Sequence, residues 1–291
     1  VSAPTPEIRA FQIFYDEKTR ASLDRDFEPL DNTDSERADW YEYWPIRNWL
    51  SRNELNESSY YGFLSPRFGE KTRLSGAQVK EFVRTAGDPD VVTFSPVPCH
   101  AACFLNVFEH GDFFHRGLFE VATRFFEKVD PLVKLDTLVM DSRNTVFSNF
   151  FLAKRAFWEV WKVVFDRLFE MAESPGFPLH DSLNRELEYA KDNGETSSTH
   201  MKIFVMERAA SFVLASGKFR VRNFPPFQIP VCNVFSGRLA DIVALDSLKI
   251  AYSETEEPDY LMLYMQMRDE ALASTWLKSA GSKGALAQSR G

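Results

Sequence analysis

The amino-acid sequence predicts an α/β fold: a layered sheet flanked by helices, with a helical C-terminal extension. Three observations lead there. Short apolar runs of strand length alternate with stretches whose apolar residues recur at helical spacing. No internal repeat is present, and 291 residues suffice for one large domain with a helical appendage, or for two small domains. The 27 Phe, 9 Tyr and 6 Trp supply enough large apolar surface for a substantial core.

Each element follows in order. Residues 1–7, with two Pro and small side chains, form a lead-in. Ile8–Tyr15 is a short apolar run that reads as a buried first strand. The Asp16-Glu17-Lys18 loop at its carboxyl end is where open α/β sheets bind ligands. Residues 24–39 are polar and read as a loop. Trp40–Arg52 has aromatic residues at helical spacing, with Pro45 kinking or restarting the helix. Tyr60–Leu64 is strand-like and stops at Pro66, with Arg67 and Lys71 following. Ser75 caps a helix over Gln78–Thr85. Val91–Ser95 is a buried strand broken by Pro96 and Pro98.

Residues 99–128 read as two helices separated by Gly111-Asp112, and Val146–Leu152 as a strand. Phe157–Ala172 is a strongly amphipathic helix. A polar loop covers 174–197, and His200–Ala215 reads as one helix with Glu207-Arg208 embedded in its apolar face. Lys218–Phe224 alternates like an edge strand, residues 237–252 and 258–278 are helical, and the Gly/Ser/Ala-rich end frays. The predicted division is 1–235 for the sheet domain and 236–291 for the extension.

Composition removes several functional classes. The net charge of −8, with no basic block, argues against nucleic-acid binding. Cys99, Cys103 and Cys232 are too few for a disulfide framework and suit a reduced, cytoplasmic setting. No apolar run reaches membrane-spanning length, which leaves peripheral contact with a membrane open. The glycine-rich nucleotide loops, the GxSxG elbow and HExxH are absent.

The remaining candidates are individual clusters. Cys99, His100 and Cys103, with Glu109, His110, Asp112 and His115, raise the idea of zinc, but one Cys pair does not supply the two knuckles of a structural site. Asp24-Arg25-Asp26 and Asp88-Pro89-Asp90 each have the form of a cation clamp, although Pro89 stiffens the second into a turn. Asp141 and Arg143, just ahead of a strand, suit a diphosphate held directly or through a divalent cation, or else a loop ion pair. Glu207-Arg208 is costly inside an apolar face unless hydrogen-bonded, and so points to a site or to a structural anchor.

Several segments taken together resemble a family. They are Tyr41–Leu50 (YEYWPIRNWL), Tyr60–Phe68 (YYGFLSPRF), Asp88–Pro96 (DPDVVTFSP), Ser148–Glu170 and Met201–Leu214. Their order is similar to that of bacterial capsular and exopolysaccharide glycosyltransferases of GT-A-like fold, over roughly residues 8–224. Matched position by position, the resemblance implies roles for Asn48, Gly62, Arg67, Phe68, Asn149, Glu207 and Arg208. One departure stands out: where the family carries His-Tyr-Arg-Arg, this chain has Ser65-Pro66-Arg67-Phe68.

The resemblance implies a nucleotide-sugar donor (UDP-, GDP- or dTDP-linked) and a polysaccharide or lipid-linked glycan acceptor. On that reading Asp141, Glu207 and Glu109 are the candidate catalytic carboxylates. Asp16, Asn48, Arg67, Arg143, Asn149 and Arg208 are the substrate-binding candidates. Asp141 is the candidate ligand for Mg2+ or Mn2+, with metal dependence open. The alternatives are a non-catalytic domain of the same shape that binds a glycan or a partner protein, and a two-carboxylate glycoside hydrolase.

Overall fold

The computed structural model describes residues 6–190, 196–230 and 237–274. The chain opens with β1 (Ile8–Phe14), α1 (Glu17–Ala21), β2 (Glu28–Asp31), α2 (Tyr43–Arg52), β3 (Tyr60–Leu64), α3 (Phe68–Thr72) and α4 (Gly76–Thr85). It continues through β4 (Val91–Thr93), α5 (Pro98–Cys103), α6 (Val107–Phe114), α7 (Leu118–Val129), β5 (Phe151–Ala153) and α8 (Arg155–Glu173). Next come α9 (His180–Asn184), β6 (Glu186–Ala190), β7 (Thr196–His200), α10 (Met201–Met206), α11 (Ala209–Ala215) and β8 (Val221–Asn223). Helices α12 (Leu239–Thr255) and α13 (Pro258–Ser274) end the described chain.

The main sheet has the order β2-β1-β3-β5-β4-β8. β1 pairs in parallel with β2 and β3, β4 pairs in parallel with β8, and β5 runs antiparallel to both β3 and β4. Five strands therefore share one direction and β5 alone is reversed. Side chains alternate between the two faces, as strand geometry requires. Phe11, Ile13, Tyr61, Phe63, Val91 and Phe151 join the core under α2, α7, α8, α10 and α11. Ala10, Tyr60, Leu64, Val92 and Leu152 join a second core with Phe68 and with Val79 and Val83 of α4. Helices thus cover both faces, which is why the inner strands β3, β4 and β5 are buried along their whole length.

The abundance of Phe and Trp has its explanation in the larger core. Trp158 of α8 stacks on Phe151, meets Phe63 edge-on at 5.0 Å and donates from its indole to the Tyr61 carbonyl at 3.0 Å. Trp161, Phe165 and Phe169 continue the aromatic row along α8 to Trp40 and Trp44. Such ring pairs add about 0.5–1.5 kcal/mol each beyond their buried area.

Several elements differ from the sequence expectation. The 24–39 stretch is not all loop, because it contains β2. Pro29 is tolerated there since β2 is an edge strand, and Arg9 ties that edge to Glu28 at 2.6 Å. The helix expected from Trp40 starts at Tyr43, which places Pro45 in its first turn. Residues 98–129 form three helices, and Gly111-Asp112 lies inside α6. The break falls at Gly117 (φ 89°), where Asp112 Oδ1 accepts from the Gly117 and Phe119 amides. The strand expected over Val146–Leu152 shrinks to Phe151–Ala153, because Ser148 and Asn149 both take left-handed backbone (φ 56° and 57°). The 174–197 loop holds α9 and most of a β6–β7 hairpin. The expected helix over 200–215 divides at Glu207-Arg208 into α10 and α11.

Of the last two helices, α12 and α13 pack on each other and on α5, around Cys99, Cys103, Ile242, Leu245 and Tyr264. The 235/236 boundary and the frayed end lie outside the described residues. Among the described residues no helix is long and apolar enough to cross a membrane.

Gly62 sets the spacing between β3 and β5. A Cβ at this position would meet Leu152 Cγ at 2.6 Å and the Phe151 carbonyl at 3.0 Å. Replacing Gly62 with Ala should cost about 1–3 kcal/mol, read as a lowered denaturant midpoint with an unchanged slope.

Candidate active site

From β1 the chain adds β2 on one flank and then returns to add β3 on the other. The carboxyl ends of β1 and β3 therefore form the kind of crevice in which open α/β sheets bind ligands. Two cavities lie there and share Tyr15, Pro66 and Arg67 as a common wall. The larger, ≈ 700 Å³, reaches Gln12, Asp16, Lys18 and Asp24. The smaller, ≈ 310 Å³, is lined by Glu42, Lys71, Ser148, Thr199 and Glu207, with Tyr41, Tyr43, Tyr189 and Phe204 as aromatic walls.

Local structure positions each group. Gln12, buried at the end of β1, donates to the Ser65 and Pro66 carbonyls and so fixes the turn that presents Arg67. Arg67 makes a two-pronged pair with Glu70, at 3.0 and 2.8 Å. One turn along α3, Lys71 donates to Ser148 Oγ at 2.9 Å, and among the described residues no carboxylate pairs with it. Glu42 immediately precedes α2, after Tyr41, whose backbone sits at φ 50° and ψ −130°. That region is costly for a side chain of this size.

Glu207 projects from the α10–α11 break because of its neighbour. Arg208 is 4% exposed, and its guanidinium donates to the Val107 and Phe204 carbonyls and to Glu207 Oε2 at 3.0 Å. Gly111 makes room for it: a Cβ there would lie 2.6 Å from Arg208 Nε. The Thr199 hydroxyl at the cavity wall, and the amide nitrogen of Asn149 next to Ser148 in the chain, are buried without a partner among the described residues.

The electrostatics single out Glu42. Burial, with the charge of Glu207 adding to it, pushes the Glu42 carboxyl up to about 7, and Lys71 opposes the shift. Burial and the same two carboxylates raise Tyr43 well above its ordinary value. Behind them, burial and then Arg208 push His115 down to about 4, so a neutral imidazole stacks on Phe204 with centroids 3.6 Å apart.

The structure thus brings together Arg67 and Glu207, with Asp16 in the adjoining cavity, Asn149 beside Ser148 and Arg208 beneath Glu207. Asp16 itself caps α1 through the Thr19 amide and hydroxyl. Four expected site residues lie elsewhere. Asp141 is buried with its oxygens on Arg143, and Arg143 reaches on to Glu254 of α12, so this pair anchors a helix and lines neither cavity. Glu109 is taken by the Leu105 amide and by Arg268 of α13. Asn48 lines a separate cavity beside α2.

The donors for a cation are committed in the same way. Besides Asp141, Asp24 caps the Asp26 and Gly76 amides, Asp88 pairs with Lys154, and Asp90 with Arg220. Among the described residues no three His, Cys, Asp or Glu converge on one point, and Cys99 and Cys103 are buried in apolar packing. Asp141, the expected cation ligand, has both carboxylate oxygens engaged by Arg143.

Sequence reasoning missed Glu42, Lys71 and Thr199 as site residues. The available signals were one acid inside the aromatic run Trp40–Trp44 and a second base one helical turn after Arg67.

A carboxyl raised from 4.5 to about 7 binds protons more tightly in the folded chain than in the unfolded one. Stability should therefore fall as pH rises through that window and level off above it. Replacing Glu42 with Gln should remove the slope and stabilise the protein above neutral pH by on the order of 1–3 kcal/mol, read by thermal melts across the window.

Neither a protein-family model, nor a curated protein, nor a solved structure matches this chain.

Proposed function

We propose that the chain is a glycosyltransferase that moves a sugar from a nucleoside-diphosphate donor to a hydroxyl of a glycan acceptor. One observation carries this reading: two carboxylates, Glu42 and Glu207, share with Arg67 and Lys71 a cavity at the carboxyl ends of β1 and β3. Glycosyl transfer needs a base for the acceptor proton and positive charge for the departing diphosphate. A carboxylate of raised affinity for protons suits the first, because a base works best with a pKa near the working pH. Glu42 takes the proton as the acceptor oxygen bonds to the anomeric carbon. The bond from that carbon to the diphosphate oxygen breaks, and its electrons leave with the diphosphate toward Arg67 and Lys71. Burial keeps the Glu42 proton affinity high, and Glu207, steadied by Arg208, adds to it.

The architecture supports the same reading at a coarser level. A six-stranded mixed sheet with helices on both faces is the α/β layering that a GT-A-like reading requires. The adjoining cavity at Gln12 and Asp16 suits the nucleotide, and UDP, GDP and dTDP are the candidates. A cytoplasmic setting at the inner face of a bacterial membrane, in capsule or exopolysaccharide synthesis, belongs to this proposal.

A second reading has its own support. Arg67 is engaged by Glu70 through both prongs of its guanidinium, which lowers its pull on a diphosphate. A non-catalytic domain that binds a glycan or a partner protein would tolerate that arrangement.

Thermal shift with UDP, GDP and dTDP, followed by hydrolysis and transfer assays on the matching nucleotide sugars, separates the two. The transferase reading expects a shift with at least one nucleotide and turnover with its sugar. Glu42→Gln should then lower kcat by about 10²–10⁴-fold with little change in donor KM. Nucleotide binding without turnover favours the second reading, and no nucleotide response removes the first.

A further inference from the structure

A third cavity, ≈ 460 Å³, lies between α2 and the 31–36 loop, outside the wall that Arg67 shares. Its floor is apolar, formed by Trp44, Pro45 and Trp49. The indole faces are occupied: Trp44 stacks on Phe169, and Trp49 packs against Phe11 and Phe63. The rim is polar and unspent. Among the described residues the side chains of Asn48, Asp34, Glu36 and Arg52 make no hydrogen bond or ion pair, and the Ser35 hydroxyl is buried without a partner. Asn53 and Asn32 add two more amides, each with capacity left after bonding the Trp49 and Tyr41 carbonyls.

The chemistry of this rim selects a ligand. Asp31, Asp34 and Glu36 against Arg52 leave the lining negative, which disfavours phosphate and acidic glycans. Arg52 and the amides offer donors that a basic peptide could not use. Unpaired amides, carboxylates and a hydroxyl, set over an apolar floor, match a molecule that presents hydroxyls around a ring with C–H faces. We infer that this cavity binds a neutral oligosaccharide, mainly through hydrogen bonds to Asn48, Ser35 and Asp34.

Its position adds a role. Asp31 ends β2, so the cavity opens at the same edge of the sheet as the site at β1 and β3. One segment joins the two: the 31–36 loop leads to Tyr41 and Glu42, and the Asn32 amide nitrogen approaches the Tyr41 carbonyl at 3.5 Å. A glycan seated here would hold an extended acceptor with its growing end toward Glu42. That part of the inference rests on the transferase reading, whereas sugar binding by the cavity does not.

The test is ligand-observed NMR and titration calorimetry on the full chain, with no donor present. The probes are short oligosaccharides of glucose, galactose and N-acetylglucosamine, with heparin fragments and a lysine-rich peptide for comparison. At least one neutral oligosaccharide should bind, and Asn48→Ala should weaken it about tenfold, the loss of roughly one good hydrogen bond. Asn48 lies on a helix surface where Ala is well tolerated, and Asp34→Asn provides a second variant that leaves the helix untouched. No binding by any neutral probe, binding equal in both variants, or preference for heparin or the peptide would overturn the inference. The nucleotide thermal shift of the unsubstituted chain is read alongside. If it fails while oligosaccharide binding holds, only the transferase reading falls; the converse removes only this one.

Discussion

The geometry of the smaller cavity depends on where one buried guanidinium finds its partners. Arg208 cannot lose its charge and is almost wholly removed from water, so each N–H needs an acceptor. It finds the Val107 carbonyl on α6, the Phe204 carbonyl on α10 and the carboxylate of Glu207. Meeting all three interrupts what would otherwise be one helix, and Glu207 emerges at the interruption, against the cavity. Gly111 is the condition on the other side, since any larger residue would occupy the place of the guanidinium. One buried cation thereby joins three helices and aims a carboxylate. The raised affinity of Glu42 for a proton comes first from its own burial, and the charge of that carboxylate adds to it.

The aromatic layer makes this arrangement stiff. α8 lies across the sheet with Trp158 and Trp161 fully buried, and its far end carries Glu173, which accepts from the Trp40 indole at 2.9 Å. Lys202, at the start of α10, reaches both Asp39 and Glu173 from a buried position over the Trp40 ring. The helix that ends at Glu207 and the segment that leads into Glu42 are therefore tied to the same rigid row. Dense packing allows little drift, which is what a pair of interacting carboxylates needs to keep its separation.

Sequence periodicity made the scaffold legible: β1, β3, β4 and α8 carry apolar patterns that only a buried strand or a one-faced helix explains. It misjudged the places where polar contacts override pattern. β2 was hidden by Pro29, which is harmless only because the strand is an edge. The division of the 200–215 helix was hidden because Glu207-Arg208 fits helical spacing, and its cause is a carbonyl a hundred residues earlier. The site was legible in part for the same reason. Arg67 and Glu207 carry local signals, whereas Asp141 and Arg143 look like a ligand pair until Glu254 and Asp246 arrive from α12 to occupy the loop. Glu42 becomes a candidate only once Glu207 faces it across the cavity.

Backbone strain points to the same place by an independent route. Seven residues other than glycine have positive φ among the described residues. Arg73 and Glu256 are helix C-caps, where left-handed backbone is ordinary, Asp88 follows Gly87 in a turn, and Val97 (φ 50°) caps α5 and lines neither of the two cavities. Tyr41, Ser148 and Asn149 have no such excuse, and the first two line the smaller cavity. A tyrosine at φ 50° and ψ −130° costs on the order of 1–3 kcal/mol, so the surrounding structure must hold it there. What the strain achieves is visible in its neighbour: with Tyr41 turned, Glu42 is delivered to the cavity wall at the head of α2 instead of continuing outward to water. The left-handed pair at Ser148-Asn149 acts in the same sense from the opposite side, bringing the Ser148 hydroxyl to Lys71 and leaving the Asn149 amide buried and unpaired. Two of these strained residues line the smaller cavity and a third adjoins it, so the backbone and the electrostatics single out the same place.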